Sequence, residues 1–171
     1  MLELAGERRR APRWQWWLVV SAVVILLDQL TKHVIQQMLA YGASIRVTPF
    51  FDLVHVLNRG AAFSFLSSAA GWQRGLFITI ALGASGLIVY LLRKHVADRL
   101  FCFALSLILG GALGNVVDRI LLGAVVDFLH FHLAEHYFPA FNLADSAITC
   151  GAGLLIWDSL RRPRIGHAQR P

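Results

Sequence analysis

Apolar residues run through four stretches of the chain, and the polar residues between and inside them fix how those stretches lie. Residues 76–92 and 100–117 carry no charge at all. A bilayer core about 30 Å thick takes about 20 residues of helix at about 1.5 Å per residue, so each is a predicted membrane span. Residues 14–27 are also uncharged but short, and the helical pattern reaches spanning length only by taking in Asp28 and Lys32 and running on to about Met38. Residues 146–157 are shorter still, and a span there must reach back through Asp145 to about Ala140. Backbone amides in hydrocarbon must bond within their own segment, which leaves helix as the conformation for all four. The pattern therefore predicts an all-α membrane protein, a single membrane domain over 1–171, with four transmembrane helices at about 14–38, 72–92, 99–122 and 140–160.

Two connections stand apart. Residues 43–66 are rich in β-branched and aromatic side chains and are punctuated by Asn58-Arg59-Gly60, which predicts two or three short strands outside the membrane. Residues 123–138 are expected to form a second loop on the same side. Gly110 with Gly114, and Ala147 with Gly151, have the small-xxx-small spacing that lets the third and fourth helices approach closely.

Composition agrees with a membrane chain: 57% of the 171 residues are hydrophobic and 15% are charged, where a soluble domain carries about a quarter charged. The formal charge of +6 would point to nucleic acid in a soluble chain, but here its placement matters more. Arg8, Arg9, Arg10 and Arg13 precede the first span, Arg93, Lys94 and Arg99 lie between the second and third, and Arg161, Arg162, Arg164 and Arg170 follow the fourth. The positive-inside rule makes that side cytoplasmic, with both termini inside and residues 43–66 and 123–138 outside. No nucleic-acid partner is expected. The first 27 residues resemble a signal peptide, but no small-residue cleavage site follows, so an uncleaved anchor is expected. Trp14, Trp16 and Trp17 at the inner interface, and Trp72 and Tyr137 near the outer one, fit an aromatic belt.

Counting depth from the inner end of each span brings polar residues to one level. Asp28 and Lys32 fall in the last outer turns of the first helix, and Asn115, Asp118 and Arg119 in those of the third. Asp145 lies about 7–8 Å below the outer surface on the fourth. Ionisable groups in a membrane are costly and face a bundle interior or a wet cavity. Each also has a plain structural reading. Asp28 and Lys32, and Asn115 and Arg119, have the i, i+4 spacing of an intrahelical pair, Arg119 can reach the headgroups, and Asp118 reads as a partner for a cation. Asp52 and Glu135 read as solvated loop charges.

Asp127, in Val125-Val126-Asp127-Phe128, has apolar neighbours that would raise a carboxyl pKa. A short outer excursion separates it from Asp145, so the two can meet. Two adjacent carboxyls share one proton, and such a pair can both accept a proton from water and polarise a carbonyl. Two separately paired acids remain the alternative on spacing alone. His130, His132 and His136 lack an HExxH pattern, so zinc is not expected. Cys102 and Cys150 sit at different depths in apolar helix and are expected to be inert and unbridged. No metal or other cofactor is expected.

Five segments in order then resemble one family: Leu27-Asp28-Gln29-Leu30-Thr31-Lys32, Asn58-Arg59-Gly60-Ala61-Ala62-Phe63-Ser64, Gly114-Asn115-Val116-Val117-Asp118-Arg119, Val125-Val126-Asp127-Phe128 and Phe141-Asn142-Leu143-Ala144-Asp145-Ser146-Ala147-Ile148. Together they resemble the lipoprotein signal peptidases (signal peptidase II), aspartic endopeptidases of the bacterial inner membrane. The resemblance implies four helices around a small extracytoplasmic β-cradle, with Asp127 and Asp145 as the catalytic pair. It implies that Asn58, Asn115, Arg119 and Asn142 bind substrate or order the site, with Asp28 and Lys32 supporting it. It further implies prolipoprotein substrates whose lipobox cysteine carries diacylglycerol, cleavage on the N-terminal side of that cysteine, and sensitivity to globomycin. One chain supplies every implied site residue, so a monomer among membrane lipids is the expectation.

Overall fold

A computed structural model of the chain describes residues 13–60, 72–133 and 135–161. The terminal arginines at 8–10, 162, 164 and 170, and the Ala61–Ser64 end of the second motif, lie outside the described residues.

Four helices form where the apolar runs are: α1 (Gln15–Met38), α2 (Trp72–Lys94), α3 (Arg99–Leu121) and α4 (Leu143–Arg161). The first three are long and apolar enough to cross a membrane. α4 has 19 residues, with Asp145, Ser146, Thr149, Asp158 and Arg161 diluting its apolar content. α3 is the central helix, with 56% of its most apolar window buried against 22% for α1 and 17% for α2. Ile88 and Leu92 of α2 and Cys102, Leu105 and Leu109 of α3 form one buried cluster, packed by Trp17 and Leu18 of α1 and Leu155 of α4. The outward faces stay apolar: Leu26, Leu30, Leu82, Leu87, Ile156 and Leu160 are all exposed, as suits helices whose surroundings are lipid.

Small residues let α3 meet its neighbours, with a different division of labour from the spacing-based expectation. A Cβ on Gly110 would lie 2.7 Å from Val24 Cβ and 2.8 Å from the Ser21 carbonyl, so this glycine serves α1 rather than α4. Gly111 is the residue pressed against the Ala144 carbonyl of α4, and a Cβ on Gly151 would sit 2.6 Å from the Ala104 carbonyl. Gly114 faces both neighbours: a Cβ there would lie 2.8 Å from Asp28 Oδ2 and 3.5 Å from Ala144 Cβ. The sequence shows the small residues; which helix each faces depends on rotation about the α3 axis.

Beyond the helix ends lies one antiparallel sheet in the order β1 (Ser44–Thr48), β2 (Phe51–Asn58), β3 (Val125–Leu133), β4 (His136–Tyr137). Of the two or three short strands expected within 43–66, two are present among the described residues. Residues 123–138, expected as a loop, instead supply β3 and β4, so the small sheet beside the helices is larger than expected. The alternation of Leu129, Phe131 and Leu133 with His130 and His132 is a period-two signal of a half-buried strand. Gly123, at φ 74°, turns the chain out of α3 in the left-handed conformation glycine tolerates best. Ile35 and Leu39 of α1 and Phe128 of β3 form a second buried cluster, with Leu53 and Leu129 against it. That cluster seats the sheet on the end of α1. Asp52, expected to be solvated, is a strand residue, 3.5 Å from Arg46 Nε and 3.3 Å from His132 Nε2.

Candidate active site

The end of α1 presents Asp28 and Lys32 one turn apart, both fully buried. Lys32 Nζ lies 2.8 Å from Asp28 Oδ2 and 2.8 Å from Asp118 Oδ2 of α3, and donates to Asn115 Oδ1 at 3.0 Å. The expected i, i+4 pair therefore exists, and Asp118 is the cation partner its position promised. A buried ammonium with three oxygen acceptors has every proton engaged, which is what burial of that charge requires.

Both carboxylates of this cluster also bind backbone. Asp28 Oδ1 accepts from Ala144 N at 2.9 Å, in the first turn of α4, and Asp118 Oδ2 accepts from Val126 N at 3.0 Å. One lysine thus joins the start of α4 to the start of β3. Gln29, quoted in a motif but given no role by sequence reasoning, donates to Asp118 Oδ1 at 2.8 Å and to the Gly114 carbonyl at 3.2 Å. Its position beside Asp28 was the one signal that could have marked it.

Asn115 carries this order outward. Its Oδ1 faces the ammonium, so its Nδ2 must face the other way, and it donates to Asp145 Oδ1 at 2.8 Å. Asn142 stands just before α4, where a side-chain oxygen can satisfy an unpaired helix amide. Its Oδ1 accepts from Asp145 N at 2.9 Å. Its Nδ2 donates to Asp127 Oδ1 at 2.7 Å, with Asn115 Oδ1 at 3.2 Å and the Val126 carbonyl at 3.3 Å.

Asp127 reaches the same point from β3, where it pairs with Val56 of β2. Asn58, at the end of β2, donates to Asp127 Oδ2 at 3.1 Å, and its own Oδ1 accepts from Gly60 N at 3.0 Å. Asp127 is 2% exposed. Burial, and then the nearby Asp145 carboxylate, push its pKa up to about 7 against the pull of Asn58, Asn142 and Lys32. A proton therefore stays on this site at a pH where an ordinary carboxyl has lost it.

Arg119 lies 5.2 Å over the Phe77 ring of α2 and donates to the Asn115 carbonyl at 3.2 Å. It stands within electrostatic reach of Asp145, Asp127 and Asp118, but among the described residues it forms no ion pair. All eight residues singled out from the sequence (Asp28, Lys32, Asn58, Asn115, Arg119, Asp127, Asn142 and Asp145) thus converge where α1, α3, α4 and the sheet meet. His132 and His136 lie on β3 and β4, away from this cluster, and among the described residues no three His, Cys, Asp or Glu side chains are grouped to hold a metal ion. Cys102 and Cys150 are both free thiols.

Two carboxyl groups, that of Asp127 held by the Asn142 carboxamide and that of Asp145 by the Asn115 carboxamide, with a proton kept on Asp127 near neutral pH, can take a proton from water and return it to another atom. The sequence has the same affinity at the level of the whole chain: residues 20–161 match the model of Signal peptidase (SPase) II. The chain belongs to the signal peptidase II family. The lipoprotein signal peptidase of Burkholderia vietnamiensis (strain G4 / LMG 22486) is 62% identical over 148 residues, covering 86% of this chain and 89% of that protein. That of Janthinobacterium sp. (strain Marseille) is 58% identical over 146 residues, covering 85% and 88%. A bacterial membrane enzyme structure obtained by the in meso method at 2.3 Å superposes with a TM-score of 0.79 at 31% identity, covering 92% of this chain and 94% of that one. Membership makes this chain a membrane peptidase.

Proposed function

We propose that this protein removes the signal peptide from diacylglyceryl-modified prolipoproteins, cutting N-terminal to the lipidated cysteine with water activated between Asp127 and Asp145. The observation that carries the reading is the Asn142 carboxamide, which donates to Asp127 Oδ1 at 2.7 Å and accepts from Asp145 N at 2.9 Å. The names and similarity of the Burkholderia and Janthinobacterium proteins support the substrate class.

In this mechanism the ionised member of the pair takes a proton from water as the oxygen attacks the scissile carbonyl carbon. The protonated member gives its proton to the carbonyl oxygen, leaving a neutral gem-diol. The pair then passes a proton to the amide nitrogen, the C–N bond breaks, and the products are the signal peptide's new carboxyl terminus and the amine of the lipidated cysteine. Such positioned proton transfers contribute typically 10²–10⁴-fold each. Asn115 and Asn142 hold the pair, Asn58 holds Asp127, and Arg119 offsets negative charge or binds the substrate main chain. Asp28 and, through Asp118, Lys32 fix the start of α4 and the start of β3, which carry the pair. A diacylated cysteine keeps its amide near the headgroups, the depth at which Asp145 enters α4.

The chain acts as one membrane domain and as a monomer in the bacterial inner membrane, with four spans, both termini cytoplasmic and the sheet outside. The exposed Ile156, Trp157 and Leu160 on α4 support a lipid-facing fourth span. The test is cleavage of a diacylglyceryl-modified lipobox peptide by the purified protein. Asp127→Asn and Asp145→Asn should each bind the peptide yet cut it about a thousandfold more slowly or worse, and globomycin should block the parent. Appreciable turnover by both variants would refute the dyad.

A further inference from the structure

The end of α2 remote from the aspartates carries a feature that proteolysis does not use. Gly86, Val89, Tyr90, Arg93 and Lys94 line a groove of about 520 Å³ on one face of the helix. Gly86 contributes the hollow: a Cβ there would meet nothing within 4 Å, and the same is true of Gly83 one turn further along. The exposed strip Gly83, Gly86, Tyr90, Arg93 runs at helical spacing from the charged end of α2 toward its middle.

The cations at the groove's mouth each lie over an aromatic ring. The Arg93 guanidinium lies 5.4 Å over the Trp14 ring at the start of α1, and Lys94 Nζ lies 5.9 Å from the Tyr90 ring. Among the described residues neither forms an ion pair; those belong to Lys32, Arg46 and His132. A guanidinium lying over an aromatic face keeps its in-plane N–H donors free, and those donors match two phosphate oxygens. Lys94 and the Tyr90 hydroxyl add donors beside it.

From Lys94 back to Gly83 the helix rises about 16 Å, and one leaflet of hydrocarbon is about 15 Å deep. We propose that this face binds one anionic phospholipid, its phosphate between Arg93 and Lys94 and one acyl chain lying over Gly86 and Gly83. Two adjacent cations with no ion pair among the described residues select a headgroup with net negative charge over a zwitterionic one. The hollow at the glycines admits a chain where a larger side chain would fill the space. The bound lipid would brace α2 against α1 through Trp14, about 24 Å along α3 from Asn115, so the site is separate from the proposed chemistry.

Native mass spectrometry of the full chain, released from micelles containing equal amounts of palmitoyl-oleoyl-phosphatidylglycerol and palmitoyl-oleoyl-phosphatidylcholine, tests this. The parent should retain the anionic lipid at least threefold over the zwitterionic one. R93Q/K94Q should abolish that preference, and G86L should lower total lipid retained at least threefold. R161Q, which removes a guanidinium 5.7 Å over Trp157 on α4, should change neither. Undiminished preference in R93Q/K94Q, or equal loss in R161Q, overturns the headgroup assignment. Unchanged retention in G86L overturns the acyl groove, and decides the matter if the double variant fails to fold.

Discussion

At the scale of single residues, Asp127 is where local sequence and tertiary setting combine. Its apolar neighbours Val125, Val126 and Phe128 already forecast a raised pKa, but Asp145, Asn58 and Asn142 come from other elements. With the Asp127 carboxyl pushed up to about 7, the proposed pair loses its only proton above that pH. Cleavage should then fall about tenfold per pH unit on the alkaline side, and a flat profile from pH 7 to pH 9 would refute a required proton here. Stability has the same origin. Between the ordinary Asp range near 4 and about 7, the folded chain holds a proton that the unfolded chain has released. Stability therefore falls as pH rises through this window, by at most about 4 kcal/mol. Asp127→Asn removes that loss, so its Tm relative to the parent should rise between pH 5 and pH 8, as thermal unfolding at both pH values would show.

At the scale of elements, the helices were legible because hydrocarbon demands long uncharged runs, and α1–α3 fall close to the expected bounds. β1 and β2 were legible from their β-branched and aromatic content. β3 was missed, although Leu129–Leu133 alternates with period two, because Val125-Val126-Asp127-Phe128 read more strongly as a motif than as a strand; its pairing with β2, about seventy residues earlier, left no local signal. The glycine steps were legible as close-packing residues but not as to partner. Gly111, never singled out, makes the tightest approach to α4, one turn before Asn115. Gly111→Val should push α4 away, cost about 1–3 kcal/mol and lower cleavage by weakening the Asn115–Asp145 bond. Gly153→Ala, where a Cβ meets open space, should leave both within error; the two are compared by thermal unfolding and peptide cleavage in parallel.

At the scale of the whole molecule, the proposed topology puts Arg93 and Arg161 on one side and the sheet on the other. Reporter fusions check this directly: fluorescent protein fused after residue 171 should fold and fluoresce inside the cell, and alkaline phosphatase fused there should stay inactive. The reverse pattern would overturn the cytoplasmic C-terminus. By itself the sequence determined that the chain is a membrane protein, where its helices run, and which family its motifs resemble. Those properties follow from local hydrophobicity and from spacing along one axis. Only the tertiary structure decided that 123–138 completes a sheet, that Lys32 joins two helix-borne carboxylates, and that Asn142 stands between Asp127 and Asp145. Each of these depends on rotation about a helix axis or on pairing between distant strands. Neither leaves a periodic trace in the chain, because the partner that fixes it is far away in sequence.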